Sequence, residues 1–137
     1  GKIIKYRIPI LVIYEYRPNS GIATHVGQNA KENDELTLNA DAEHWWFHAS
    51  GCPGAHVVAL SPVIDRETKR DAAILAVHHS KSPATKMVPV DMCQVKSVSK
   101  GVRAPHGQVI VEDATVLTVF PQKAPEKARL GRLLTDA

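Results

Sequence analysis

Residues 44–60, HWWFHASGCPGAHVVAL, constrain the fold more than any other stretch of the chain. Two short runs rich in aromatic and β-branched residues, His44 to Ala49 and His56 to Leu60, flank the turn cluster Ser50-Gly51-Cys52-Pro53-Gly54. That pattern predicts a hairpin. Side chains alternate along a strand, so Trp45 and Phe47 share one face while His44, Trp46 and His48 share the other. A loop centred near Cys52 sets His48 opposite His56, so two histidines and Trp46 meet on one face. Such a cluster reads in three ways. It is a packed face whose imidazoles bond to backbone or carboxylate, a nucleic-acid surface on which Trp and His stack against unpaired bases, or a metal or acid–base site. Along a strand His44 and His48 lie about 13 Å apart, too far to share a zinc ion.

The preceding chain reads as sheet. Lys2 to Tyr16 is rich in Ile, Val and Tyr and is broken by Pro9, which predicts an edge strand or two short strands meeting there. Pro18-Asn19-Ser20-Gly21 is a turn and Ile22 to Val26 a further strand. Gly27-Gln28-Asn29 ends that strand, and Asn29 to Leu38 has the pattern of a short helix.

The best helix spans about 65–81. Asp65 is its N-cap, Ala72, Leu75, Ala76 and His79 form one stripe, and Pro83 stops it. The adjacent His78 and His79 point about 100° apart, which argues for structural or surface roles rather than shared ligation. Met87 to Val95 alternates as a strand, with Pro89 marking an edge or a strand start. Gln108 to Val111 and Thr115 to Phe120 read as a hairpin closing the sheet. Pro125 to Leu134 is a short amphipathic helix or tail, either a docking segment or a solvated one. The expected fold is therefore α+β: one domain, mostly antiparallel sheet, with one principal helix packed on it.

With 137 residues and 44% hydrophobic composition, the chain can bury a core. No run of about 18 apolar residues predicts a membrane span. Cys52 and Cys93 are the only cysteines, which excludes a zinc ribbon and fits a reducing compartment. The net charge is +3, compatible with a nucleic-acid partner. Between Lys81 and Arg103 the cations Lys81, Lys86, Lys96, Lys100 and Arg103 face one acid, Asp91. Lysines on a Gly/Pro-containing loop suit phosphate contacts that position a nucleic acid without reading its sequence, or they belong to an ordinary solvated loop.

Several blocks in order resemble the NFACT-R family, the module shared by RqcH/fibronectin-binding-protein-A-like proteins and NEMF-type ribosome quality-control factors. They are Val26-Gly27-Gln28-Asn29-Ala30, Asn33-Asp34-Glu35-Leu36-Thr37, Trp46-Phe47-His48-Ala49, Pro53-Gly54-Ala55-His56-Val57-Val58 and Val88-Pro89-Val90-Asp91-Met92. Lys96, Val98, Lys100, Ala104 and Gly107 match its basic loop in register. The resemblance covers about residues 5–121, making 1–121 the NFACT-R-like domain and 122–137 a C-terminal extension. His44 stands where the family has an acidic residue, and Ala55 where it has Ser, which weakens an enzymatic reading.

The resemblance implies a non-catalytic RNA-binding module working with tRNA or rRNA on the large ribosomal subunit, in contact with large-subunit proteins. Lacking a coiled coil, it would not tail stalled chains unaided. The expected RNA-binding residues are Lys81, Lys86, Lys96, Lys100, Arg103, Trp46, His48 and His56. No metal, small-molecule cofactor or membrane partner is expected. The location expected is intracellular, mitochondrial or cytoplasmic, and not secreted. Two alternatives stand beside this reading: a structural component of an organellar ribosome, and an RNA-modifying enzyme using His48 and His56 as acid and base.

Overall fold

Trp45 pairs with Ala59, Trp46 with Val58 and Phe47 with Val57 in antiparallel register, so the predicted hairpin forms. Its strands are β4 (Trp45–Ala49) and β5 (Val57–Ala59). The computed structural model describes residues 2–8, 11–81 and 86–135. Before the hairpin come β1 (Lys2–Ile8), β2 (Leu11–Arg17), β3 (Thr24–Val26) and α1 (Ala30–Leu38). After it come α2 (Arg66–His78), β6 (Val88–Gln94), β7 (Val98–Ser99), β8 (Ile110–Val111), β9 (Thr115–Val119) and α3 (Ala124–Leu134).

Seven strands form one sheet in the order β1-β2-β3-β5-β4-β6-β9, and β7-β8 form a separate ribbon. Every pairing is antiparallel. The sheet is covered on both faces, which is why β4 and β5 read as nearly continuous apolar runs. On one face Phe47, Val57, Ala59, Val90 and Val119 pack against Ala72, Leu75 and Ala76. On the other, Trp46, Val58 and Cys93 pack with Leu36 of α1 and Val98 of the ribbon. The α+β expectation holds: α2 is the principal helix, and α1 and α3 form where the shorter helices were expected.

α2 starts where Asp65 accepts a hydrogen bond from Thr68 N at 2.8 Å. Its small residues Ala72 and Ala76 are fully buried, letting the helix lie close to the sheet. It ends at His78, before Lys81; the expected stop at Pro83 and the break at Pro9 lie outside the described residues. Pro89 is the second residue of β6, a strand start rather than an edge, because β6 pairs with β4 on one side and β9 on the other.

The expected hairpin of 108–111 with 115–120 does not form. Glu112 N donates to Ser97 O at 2.9 Å, continuing the β7-β8 ribbon. Asp113 then takes φ 52° and redirects the chain. β9 crosses to the free edge of β6, where Val119 joins the core.

The C-terminal segment is docked, not a solvated tail. Leu133 is fully buried, and Arg129 and Arg132 each place a guanidinium nitrogen 2.7 Å from Asp71 Oδ1 on α2. Among the described residues, no helix is long and apolar enough to cross a membrane.

Candidate functional site

At the end of the sheet where β4 leaves and β5 enters, four segments converge: the start of α1, the 50–55 loop, the end of α2 and the 105–108 loop. A cleft of about 660 Å³ lies between them. Buried polar groups hold its walls in place.

Asn33 is the first of these. Its side-chain oxygen accepts from His56 N at 3.0 Å, and its amide nitrogen donates to Gly54 O at 3.2 Å, tying α1 to the 54–56 segment. Gly27 leaves room for this: a Cβ there would collide with Asn33 Oδ1. Gly54 bridges to Ser80, and a Cβ there would stand 2.7 Å from Ser80 Cβ and 2.8 Å from its Cα, so only glycine allows α2's end to pass so close.

Thr37 is the second. It shares a 2.7 Å hydrogen bond with His56 Nδ1 and accepts from Trp46 Nε1 at 3.2 Å. This supplies buried partners that would otherwise leave polar groups unsatisfied. The Trp46, His48 and His56 rings meet as the hairpin register predicts. Trp46 and His48 are stacked, with centroids 5.7 Å apart at 18°, and His56 meets both edge-on. Burial pushes the His56 imidazole down to about 4, and the adjacent His48 adds to the shift. Burial also lowers His48, against the opposing pull of Asp91. Both rings are therefore neutral near pH 7.

Asp34 is the third. Its carboxylate accepts from Lys100 Nζ, His106 Nδ1 and Gly107 N, at 2.9 Å, 3.1 Å and 2.9 Å. Burial opposes ionisation, but the hydrogen bonds from Lys100, Gly107 and His106 outweigh it and hold the carboxyl below its usual range. The result fixes the 100–108 loop against α1. Gly107 takes φ 82° there, close to Ala30.

The eight residues expected to contact RNA therefore separate into groups. Trp46 and His56 are each only 1% exposed, so neither offers a ring to a base; they form the floor beneath the cleft. Lys100 is spent inside the loop, donating also to the carbonyls of Pro105 and Gln108. Lys96 is ion-paired with Glu43 at 3.2 Å, beside the Trp45 end of β4, opposite the end where the cleft opens. Lys81 and His48 line the cleft. Lys86 and Arg103 are exposed, and neither they nor Lys81 make an ion pair among the described residues.

His79, Gln28, Asn29, His106 and Gln108 also line the cleft, and the sequence reading did not select them for binding. His79 has the structural role expected of it. It makes a 2.7 Å hydrogen bond with the Tyr16 hydroxyl and packs beside the Tyr14 ring. Its imidazole is pushed down to about 4, chiefly by burial. Asn29 and Gln28 could have been found as the cap of a predicted helix; His106 gave no such signal, since a long loop brings it in. His44 lies apart from His48, lining a second cavity of about 420 Å³ with His25 and Leu36. Among the described residues, no three His, Cys, Asp or Glu groups are placed to hold a metal ion.

Fold and site define a small α+β module with a cleft lined by histidines, amides and Lys81. The chain is 34% identical over 114 residues to the Rqc2 homolog RqcH of Bacillus subtilis (strain 168), a match spanning 82% of this chain and 20% of that protein. It is 39% identical over 100 residues to the Rqc2 homolog RqcH of Streptococcus pneumoniae serotype 2, covering 71% of this chain and 18% of the relative. Among solved structures it is similar to the C-terminal part of the fibronectin/fibrinogen-binding protein from Streptococcus suis. The TM-score there is 0.75 at 35% identity, covering 83% of this chain and 47% of that one. No protein-family model matches. The chain thus spans about a fifth of the curated relatives it matches, and the similarity supports kinship with the RqcH/NEMF group.

Proposed function

We propose that this chain is a non-catalytic, NFACT-R-type RNA-contact module that works with tRNA or rRNA on the large ribosomal subunit, in ribosome quality control. The observation that carries the reading is the RqcH similarity, 34–40% identical over most of the chain. The structure adds a physical route. Lys81, Lys86 and Arg103 are exposed cations, and phosphate contacts by such groups release counterions and position an RNA without reading its bases.

The shared motif residues Gly27, Asn33, Asp34, Thr37, Gly54 and His56 act beneath this surface, holding the loops that shape it. What supports a non-catalytic role is the state of His56, one of the two histidines that an acid–base pair would need: it is sealed from solvent with Nδ1 committed to Thr37, which leaves His48 at the cleft without an accessible partner. A general acid or base must reach the proton it moves. The relatives named above are bacterial, which lends no support to a mitochondrial location.

Sedimentation of tagged protein through a gradient of bacterial lysate tests this reading. Co-migration with the large subunit at low salt, lost at high salt, is expected of a phosphate-dominated contact. Co-migration that survives high salt would favour an integral assembly component instead. Protein found only at the top of the gradient at both salts would contradict ribosome association.

A further inference from the structure

We propose that the cleft receives a single unpaired nucleotide of the bound RNA, its base extending the Trp46–His48 stack and its phosphate meeting Lys81 at the rim. This rests on the RNA-contact reading above and names what its central cavity holds.

The volume, about 660 Å³, falls within the range of small-molecule pockets, roughly 300–1,000 Å³. The lining is what a base requires. Gln28 and Gln108 offer amide donors and acceptors for the polar edge of a base, while Asn29 is held by Glu32 as the cap of α1. His48 and His79 offer flat aromatic surface in the uncharged state. His48 is already one member of a stack, 5.7 Å from Trp46 at 18°, so a base against its other side continues an arrangement fixed by the sheet. Base–aromatic stacking tolerates any base and suits single-stranded or extruded nucleotides.

The same lining argues against other ligands. No carboxylate lines the cleft, and no metal-ligating group of three is present among the described residues. The capping acceptors at α1's start are internally satisfied: Glu32 accepts from Gln28 N and from the Asn29 amide. A small inorganic anion would leave most of the volume unfilled, and an apolar ligand would strand the amides.

The protein carries its own means of testing this. Cys52 lines the cleft and is partly exposed, whereas Cys93 is 3% exposed and its thiol is pushed up to about 11 by burial. A bulky methanethiosulfonate reagent should therefore load Cys52 selectively, occlude the cleft in folded protein and be removed by dithiothreitol. Binding is measured by anisotropy to two labelled RNAs, a perfect duplex and the same duplex with one bulged nucleotide. Unblocked protein is expected to prefer the bulged RNA by about tenfold. Blocking Cys52, or the change His48→Ala, should bring the two affinities to within about twofold, and dithiothreitol should restore the preference of the blocked protein. Equal binding of both RNAs by unblocked protein, or a preference that survives the block, would overturn the cleft's role while leaving the RNA-contact reading intact. Binding of neither RNA would overturn both.

Discussion

The ammonium of Lys100 lies 2.9 Å from Asp34 Oδ2, and it closes the 100–108 loop by donating to the carbonyls of Pro105 and Gln108 as well. A lysine in a basic loop thus serves as an internal fastener, and an aspartate in the middle of the short helix α1 is its anchor. The pairing explains why fewer of the loop's cations are free at the surface than its sequence implies.

Removing the anchor should release the loop. Asp34→Ala is expected to lower stability by about 3 kcal/mol, because it leaves the Lys100 ammonium without its counter-charge and the Gly107 amide without its acceptor. Asp34→Asn should cost less, since it retains an acceptor for Gly107. Lys96→Ala, which breaks a pair about half exposed on both sides, should cost no more than about 0.5 kcal/mol. Urea titrations of the three variants check this ordering. Equal losses for Asp34→Ala and Lys96→Ala would contradict the account.

Stability should fall in mild acid. The His56 imidazole titrates near 4 in the folded protein and near 6.5 in an unfolded chain. Between those values the unfolded state binds a proton that the native state refuses, so stability is fully present above about pH 6.5 and is lost as pH falls towards 4. A shift of that size corresponds to on the order of 3 kcal/mol. His79, displaced the same way, adds to the effect. Thermal unfolding followed from pH 7 to 4 should show the decline, and His56→Gln should make it shallower. An unchanged slope in that variant would remove His56 from the explanation.

The terminal helix should be required for folding. Deleting residues 122–137 exposes the surface that Leu133 covers and leaves Asp71 buried without either arginine. A loss of about 3 kcal/mol or more is expected, since an uncompensated buried charge alone costs about that much. Circular dichroism and denaturant titration of the truncated chain measure it. Unaltered stability would restore the view of this segment as a dispensable extension.

The hairpin was legible because its signals are local: a five-residue turn cluster and alternation fixed the 45–59 register and hence the Trp46–His48–His56 contact. α2 was legible for the same reason, from Asp65 to its alanine stripe. What sequence could not supply was non-local. Nothing local in Thr115 to Val119 indicates that its partner is β6 and not Gln108 to Val111. Nothing local in Lys100 indicates that its charge is answered by Asp34, 66 residues earlier. The cleft depends on such pairings, so His106 and Gln108 entered it unseen. Trp46 was placed correctly but assigned to a surface, because alternation gives the face and not whether α1 covers that face.

The most direct test of the central claim is the salt dependence of RNA binding. Anisotropy titrations of a labelled tRNA at increasing potassium chloride should give a linear fall of log K with log salt in the unmodified protein. The triple variant Lys81→Ala, Lys86→Ala, Arg103→Ala should bind at least tenfold more weakly, with a slope shallower by about 2 to 3, as expected when three phosphate contacts are lost. Affinity and slope that match the unmodified protein would contradict the assignment of these three cations, and binding independent of salt would contradict phosphate contact altogether.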